Sequence, residues 1–339
     1  MTSAPDPLLA GARLPRVSLG SGPTPVRPLD ALEGGARVWL KDDGAYSRFS
    51  GNKARKLEWL LGDARRRGRS TVITGGALGT NHGLATALFG RELGISTVLV
   101  LVPQPVDRHV ELQLGRMAAA GAEIHRARGP LRALAFAGCL ICARAARGRG
   151  LPYLILPGGS TPRGCVGYVE AGLELGEQVR SGAVPEPSHV VVALGSGGTL
   201  AGLLAGLRLA GLRSRLVGVL VNDLTPVSAA GVARLARRTL RLLRRSGAEL
   251  PDVRLTAADV EVEAGWLGRG YGHPTPEAAR AIELLRPLGV TLEPVYTGKA
   301  MAALLALNRE GSFGDGPVLY WHTYRAPDDW TAPPTGPGA

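Results

Sequence analysis

Four lysines, Lys41, Lys53, Lys56 and Lys299, stand among the forty lysines and arginines of this 339-residue chain, and the other thirty-six are arginines. A sequence that writes arginine so consistently has reason to keep lysine where a guanidinium fails. One such place is a Schiff base, because only a compact primary amine condenses with an aldehyde. Chance survival is the competing explanation from composition alone. Lys53 and Lys56 lie in Gly51-Asn52-Lys53-Ala54-Arg55-Lys56-Leu57-Glu58, and helical apolar spacing follows at Leu57, Leu60, Leu61 and Ala64. A partly buried amine at a helix start is pushed below its ordinary pKa of about 10.4 and becomes a better nucleophile. Lys56, about one turn on, offers a counter-charge to a phosphate arriving from the same direction.

Two glycine-rich loops offer ligand sites. Gly195-Ser196-Gly197-Gly198-Thr199 follows the apolar run 190–194 and opens a helix over 200–209. Its glycines bring several N–H groups towards one point, Ser196 and Thr199 add hydroxyls, and the helix start favours an anion. The loop is a phosphate cradle on physical grounds. It is neither a Walker loop nor G-x-G-x-x-G, and a ligand-free turn is the alternative. Gly75-Gly76-Ala77-Leu78-Gly79-Thr80-Asn81-His82 likewise joins a strand to a helix. Thr80 and Asn81 either cap that helix or face a ligand's carboxylate or phenolic oxygen. His82 reads as a supporting or capping residue.

The elements that position these loops alternate. Strands are expected at 71–74, 97–102, 153–156, 189–194, 216–221 and 318–322, with helices between them. Such alternation implies parallel sheets with helices on both faces, and ligands gather where strands end and helices begin. Two domains are expected from the length. Residues 1–7 and 331–339 read as loose tails.

The net charge of +12 allows a polyanion partner. The arginines are scattered, however, and the densest run, from Arg234 to Arg245, alternates with Leu235, Leu240, Leu242 and Leu243 as a solvated helix face does. Aromatic residues make up 5% and form no stacking platform, so no nucleic-acid partner is expected. Three cysteines argue against a disulfide framework. Cys139 and Cys142, inside an alanine-rich helical stretch, are expected to pack in the core, and no metal site is expected. Neither a signal peptide nor a membrane span is evident, which points to the cytoplasm. At this stage a cofactor-free protein using the cradle for a nucleotide or other anion is a second reading.

Taken together, these residues resemble the pyridoxal-phosphate (PLP) family of 1-aminocyclopropane-1-carboxylate (ACC) deaminase and D-cysteine desulfhydrase. The resemblance rests on Leu40-Lys41-Asp42-Asp43, Ser50 through Glu58, Gly76 through His82, Gly195 through Gly202, Tyr271-Gly272 and Pro294 through Met301. It covers about residues 20–327 and takes in every lysine of the chain. It implies a tryptophan-synthase-β-like α/β fold (PLP fold type II) with two parallel-type domains. Residues 1–56 and 167–339 would form the large domain, and 57–166 an inserted small one. Lys53 would carry PLP as an imine. Lys56 and Gly195, Ser196, Gly197, Gly198 and Thr199 would hold its phosphate. Asn81 would meet the phenolic oxygen, and Thr323 the pyridine nitrogen. Thr80 stands at the family's active-site serine, and Tyr271 and Tyr296 match its active-site tyrosines. A homodimer acting on a small amino acid is implied.

Within that family, ACC deaminases carry glutamate and leucine where this chain has Thr297 and Thr323, whereas D-cysteine desulfhydrases have threonine at both. The resemblance therefore favours β-elimination on a D-cysteine-like substrate over cyclopropane opening. Two departures bear on substrate choice. The usual Ile-Gln-Ser-Asn is Leu78-Gly79-Thr80-Asn81, and the usual His-Thr-Gly-Gly is His322-Thr323-Tyr324-Arg325. Tyr324 and Arg325 are expected to narrow the pocket or, through Arg325, to bind an anionic substrate group. Thr80, Asn81, His82 and Arg325 are thus the expected substrate contacts.

Overall fold

The computed structural model describes residues 7–49, 51–147 and 150–325. The expected tails therefore lie outside the described residues except for Pro7, and so does Ser50. The strands are β1 (Val26–Pro28), β2 (Val38–Asp42), β3 (Thr71–Ala77), β4 (Ser96–Val102), β5 (Glu123–Arg126), β6 (Tyr153–Leu154), β7 (His189–Leu194), β8 (Arg215–Leu220), β9 (Val260–Glu263) and β10 (Val318–His322). The helices are α1 (Gly51–Arg66), α2 (Asn81–Glu92), α3 (Arg108–Ala119), α4 (Pro130–Ala146), α5 (Pro162–Arg180), α6 (Gly198–Leu209), α7 (Ala229–Arg245), α8 (Pro276–Leu285) and α9 (Thr297–Arg309).

Two sheets result. The six-stranded sheet runs β1-β2-β10-β7-β8-β9, and the four-stranded sheet runs β5-β4-β3-β6. Pairing is parallel throughout except between β1 and β2. The apolar runs of β4, β7 and β10 are buried on both faces, as central parallel strands must be. In the large sheet β7 leads to β8 on one side while β10 lies on its other side. The crevice at that reversal is where open α/β sheets bind ligands.

One expectation fails in the small sheet. Cys139 and Cys142 are exposed, not packed in a core. Helix α4 lays Ala137, with Ala133, Leu140 and Ile141, on β3 and β4 and leaves the two thiols on its outer side. Helix α7 does present arginines to solvent, with Leu240 and Leu243 turned inward. Among the described residues no helix is long and apolar enough to cross a membrane.

Helix α1 differs from a simple amphipathic helix. It is buried nearly all round from Gly51 to Ala64. Leu57, Leu60, Leu61 and Ala64 enter an apolar cluster with Val72 and Phe89. The other face is charged and paired. Glu58 accepts from Arg16 Nε at 2.9 Å and from Tyr46 Oη at 3.1 Å. Arg55 donates to Asp43 Oδ1 at 2.9 Å and pairs with Glu174 Oε2 of α5 at 3.0 Å. Glu174 also pairs with buried Lys41, whose Nζ donates to Thr24 O at 2.8 Å. Two cations and two carboxylates thus tie the N-terminal segment, β2, α1 and α5 together, all buried except for the partly exposed Glu174. Breaking such a set exposes the remaining charges to an uncompensated burial penalty.

The Arg55 and Lys41 charges outweigh burial and hold the Glu174 carboxyl down at about 2, from an ordinary 4.5. Its contribution to stability is therefore complete above pH 4.5 and is lost as pH falls towards 2. Glu174→Ala is expected to cost about 3–5 kcal/mol at neutral pH and to flatten the acid limb of stability in that window. Thermal melts across a pH series read both effects, and an unchanged melting temperature at neutral pH would contradict this role.

Candidate active site

The C-terminal ends of β3, β7 and β10 and the first turn of α1 converge on one cavity. The start of α1 is held by specific contacts. Asn52 N–H donates to Thr323 O at 3.0 Å, which fastens the start of α1 to the end of β10. Gly51 is required there because a Cβ would lie 2.0 Å from Asp43 O. Lys53, one residue further, lines the cavity and is partly open to it. Burial, reinforced by the neighbouring Lys56 charge, brings the Lys53 amine down to about 7. Lys56 is buried, donates to Gly158 O at 3.1 Å and is brought by burial to about 8.

The cradle forms as expected. Gly195, Ser196, Gly197, Gly198 and Thr199 all line the cavity, and Gly197, at φ 82°, caps α6 in a conformation that favours glycine. A partner loop not expected from the sequence closes it. Ser160 Oγ meets Ser196 Oγ at 2.7 Å and accepts from Gly198 N–H at 3.0 Å. A Cβ on Gly198 would stand 2.5 Å from that oxygen and 3.0 Å from Lys56 Nζ. Gly198 is therefore packed closely against Ser160 and Lys56, and its lack of a side chain lets an ammonium, a hydroxyl and helix N–H groups converge, a donor set suited to a phosphate dianion.

On the small-sheet side, Thr80, Asn81 and His82 line the same cavity. Thr80 caps α2, its Oγ1 accepting from Gly83 N–H at 3.2 Å. Capping and cavity lining coexist because the hydroxyl still has a proton to donate. Asn81 Oδ1 accepts from Gln113 Nε2 at 2.6 Å, which leaves the Asn81 amide N–H groups to face a ligand oxygen. Gln113, buried on α3, was not foreseen, since nothing in its own segment marks it. His82 lies 3.1 Å from Thr74 Oγ1 through Nε2, while Nδ1 is buried without a partner. Burial and the charges of Lys53 and Lys56 hold its pKa well below the usual range, so the ring is neutral.

Opposite stand Tyr271 and Tyr296, with phenolic oxygens 2.6 Å apart and rings in an edge-on arrangement. Burial raises both, Tyr271 to about 12, so both are protonated. Glu293 seats Tyr296 by accepting from the N–H groups of Val295, Tyr296 and Thr297 at 2.6–2.9 Å. Thr297 is buried against Glu293 and does not line the cavity, whereas Thr323 and Tyr324 do. Asn222, Leu224 and Thr225 after β8 complete the wall and were not expected.

Arg325 is not brought to this site. Its Nη2 donates to Asp42 Oδ2 at 2.6 Å and its side chain is half exposed. Asp42 also meets His322 Nδ1 at 3.0 Å, so Arg325 completes an outer charge pair in place of the substrate contact expected for it.

The chain matches the profile of a family described as "Pyridoxal-phosphate dependent enzyme" over residues 17–323. It is 36% identical to a D-cysteine desulfhydrase of Klebsiella pneumoniae (strain 342) over 328 residues, covering 93% of this chain and 95% of the relative. A D-cysteine desulfhydrase of Salmonella choleraesuis (strain SC-B67) is also 36% identical, over 335 residues, covering 95% and 97%. Among solved structures, an ACC deaminase homologue superposes with a TM-score of 0.77 at 34% identity, covering 94% of this chain and 93% of that one. A hydrogen sulfide-producing enzyme from Fusobacterium nucleatum shares the fold, with a TM-score of 0.57 at 15% identity over 96% of this chain and 98% of that one.

The two lysines make opposite demands on pH. Covalent uptake of PLP by the apoprotein is expected to quicken as pH rises through about 7, where Lys53 becomes neutral. Retention of the phosphate is expected to weaken above about 8, where Lys56 loses its charge. Stopped-flow absorbance of cofactor uptake tests this, and a rate that is flat from pH 6 to 9 would contradict it.

Proposed function

This chain belongs to the pyridoxal-phosphate-dependent enzymes, and from that premise we propose that it catalyses β-elimination on a D-cysteine-like amino acid, giving a 2-oxo acid, ammonia and sulfide. The observation that carries the reading is the cavity's donor set: a near-neutral lysine amine facing a phosphate cradle, with two protonated phenols on the opposite wall. The residues fit the cofactor. Lys56, Ser196, Thr199 and the α6 N–H groups would hold its phosphate. Asn81 would meet its phenolic oxygen, Thr323 its ring nitrogen, and Lys53 its aldehyde carbon.

Bound there, PLP supplies a sink for the electron pair left at the α-carbon when a proton departs. The other steps fall to the chain. Lys53 accepts the α-proton, since burial brings its amine to about 7 and so leaves a large fraction of it neutral near pH 7. The Thr80 hydroxyl and the N-terminal N–H groups of α2 orient the substrate carboxylate. The Tyr271–Tyr296 pair holds the phenolic protons that a departing thiolate can take up. Thr323, offering a hydroxyl where a carboxylate would protonate the ring nitrogen, would keep the sink mild, which would suit elimination over transamination. Tyr271 and Tyr324, both buried in the cavity wall, would limit the access of bulk water to the reacting atoms.

The same reading divides the chain into a large part, residues 1–56 with 167–339, and a small inserted part, residues 57–166. Those limits fall inside α1 and α5, which touch where a Cβ on Gly167 would lie 2.0 Å from Arg55 O. It further takes the enzyme to be a cytoplasmic homodimer whose partner is its small substrate, with no nucleic-acid or membrane partner.

ACC deamination is the alternative within the family, and the structural likeness to an ACC deaminase homologue keeps it in view. A panel of D- and L-cysteine, other D-amino acids and ACC, assayed for 2-oxo acid, ammonia and sulfide, separates the two. D-cysteine is expected to yield all three products, and a preference for ACC with release of 2-oxobutyrate would overturn the branch. Because Tyr324 lines the cavity and Arg325 does not, Tyr324→Gly is expected to shift preference between D-amino acids by about tenfold. Arg325→Ala is expected to leave that preference unchanged.

A further inference from the structure

Lys299 lies on the first turn of α9, and its side chain is fully buried. It does not line the cavity. Its Nζ donates to Leu267 O at 2.8 Å and to Gly270 O at 3.4 Å. Both carbonyls belong to the irregular stretch 264–275 between β9 and α8, which carries Tyr271. Three of its glycines, Gly268, Gly270 and Gly272, have φ of 66°, 123° and 81°, so this backbone has little intrinsic preference to hold it in place. A second hold comes from Asp223, whose Oδ1 accepts from Tyr271 N–H at 3.1 Å.

The placement of Lys299 matters because Tyr296 stands three residues before it. One turn of α9 thus fixes one phenol through the Glu293 cap and reaches the segment of the other through Lys299. The two phenolic oxygens then meet at 2.6 Å. The choice of lysine is physical. Two convergent carbonyls in a closed space suit a compact ammonium with three rotatable donors better than a planar fork. Burial lowers its pKa to about 8, opposed by the carboxylates of Glu293 and Asp223.

We propose that Lys299 is a positioning residue for the substrate side of the cavity: it sets Tyr271 against Tyr296 by holding the Leu267 and Gly270 carbonyls, without touching cofactor or substrate. The proposal rests on the reading above, in which the paired phenols serve the reaction. It also accounts for the one lysine left unexplained by cofactor binding or by the Glu174 cluster.

The test is a double-mutant cycle on holoenzyme with Lys299→Met, Tyr271→Phe and the double variant. Turnover of D-cysteine, absorbance of bound cofactor and amide hydrogen exchange are all measured. Lys299→Met is expected to lower kcat by roughly 10- to 100-fold, the scale of a small misplacement, with cofactor absorbance unchanged. Exchange is expected to speed up in 264–275 and not elsewhere. In the Tyr271→Phe background the further loss is expected nearly to vanish, since coupled residues are not additive. A kcat within twofold of the parent, fully multiplicative losses, or exchange rising throughout the chain would each overturn the proposal. If Lys299→Met yields no soluble protein, Lys299→Gln, which keeps a donor, runs the same cycle: non-additivity supports the proposal and additivity overturns it. A parent inactive on D-cysteine counts against the substrate reading, and local hydrogen exchange still decides whether Lys299 holds the segment.

Discussion

Two lysine amines one helical turn apart share a single water-poor cavity, and the arrangement of the site follows from that constraint. Burial disfavours both ammonium groups there, and the Lys56 charge adds to the effect on Lys53, so the Lys53 amine falls to about 7 and the Lys56 amine to about 8. The less favoured charge is the one that must be absent for nucleophilic attack. The other, directed at Gly158 O beside Ser160 and Gly198, meets the cradle that attracts a dianion. In the proposed function one amine would condense and the other would neutralise, so a phosphorylated aldehyde would satisfy both at once.

Holding that cavity in shape depends on charges elsewhere. The element Gly-Asn-Lys-x-Arg-Lys-Leu-Glu serves two purposes along a single helix. Lys53 and Lys56 face the cavity or its edge. Arg55 and Glu58 turn the other way, into buried pairs with Asp43, Glu174 and Arg16. The specificity of the motif is therefore half structural. An α1 that lost Arg55 would lose its fixed angle to α5 and β2, and with it the direction of Lys53. The contact of Asn52 N–H with Thr323 O joins the helix to the strand end that carries the expected ring-nitrogen partner.

Much of this was readable from residue order, and the exceptions have physical causes. The runs that became β4, β7 and β10 are apolar on both faces because central parallel strands are covered on both sides. β1, β2, β5 and β9 were not expected: β1, β5 and β9 are short edges, the partly exposed Glu-Ile-His-Arg of β5 carries no apolar signal, and interior β2 ends its short Val-Trp-Leu run in Lys41-Asp42. The cradle and the lysines were visible because one contiguous segment supplies each. Gln113 and Ser160 were not, because their partners Asn81 and Gly198 lie 32 and 38 residues away in sequence, and only the fold brings them together. Arg325 was misread for the same reason: its nearness in sequence to Thr323 says nothing of Asp42, which takes its guanidinium. The apolar, alanine-rich stretch around Cys139 and Cys142 resembles a core helix, yet α4 covers one face of a small sheet and leaves the other outward.

The proposed function requires PLP to be joined covalently to the nitrogen of Lys53. Reduction of the holoenzyme with borohydride, followed by proteolysis and peptide mass spectrometry, measures this directly. A single phosphopyridoxyl adduct on Lys53 is expected, with Lys41, Lys56 and Lys299 unmodified. An adduct on any of those three instead, or none at saturating PLP, would contradict it.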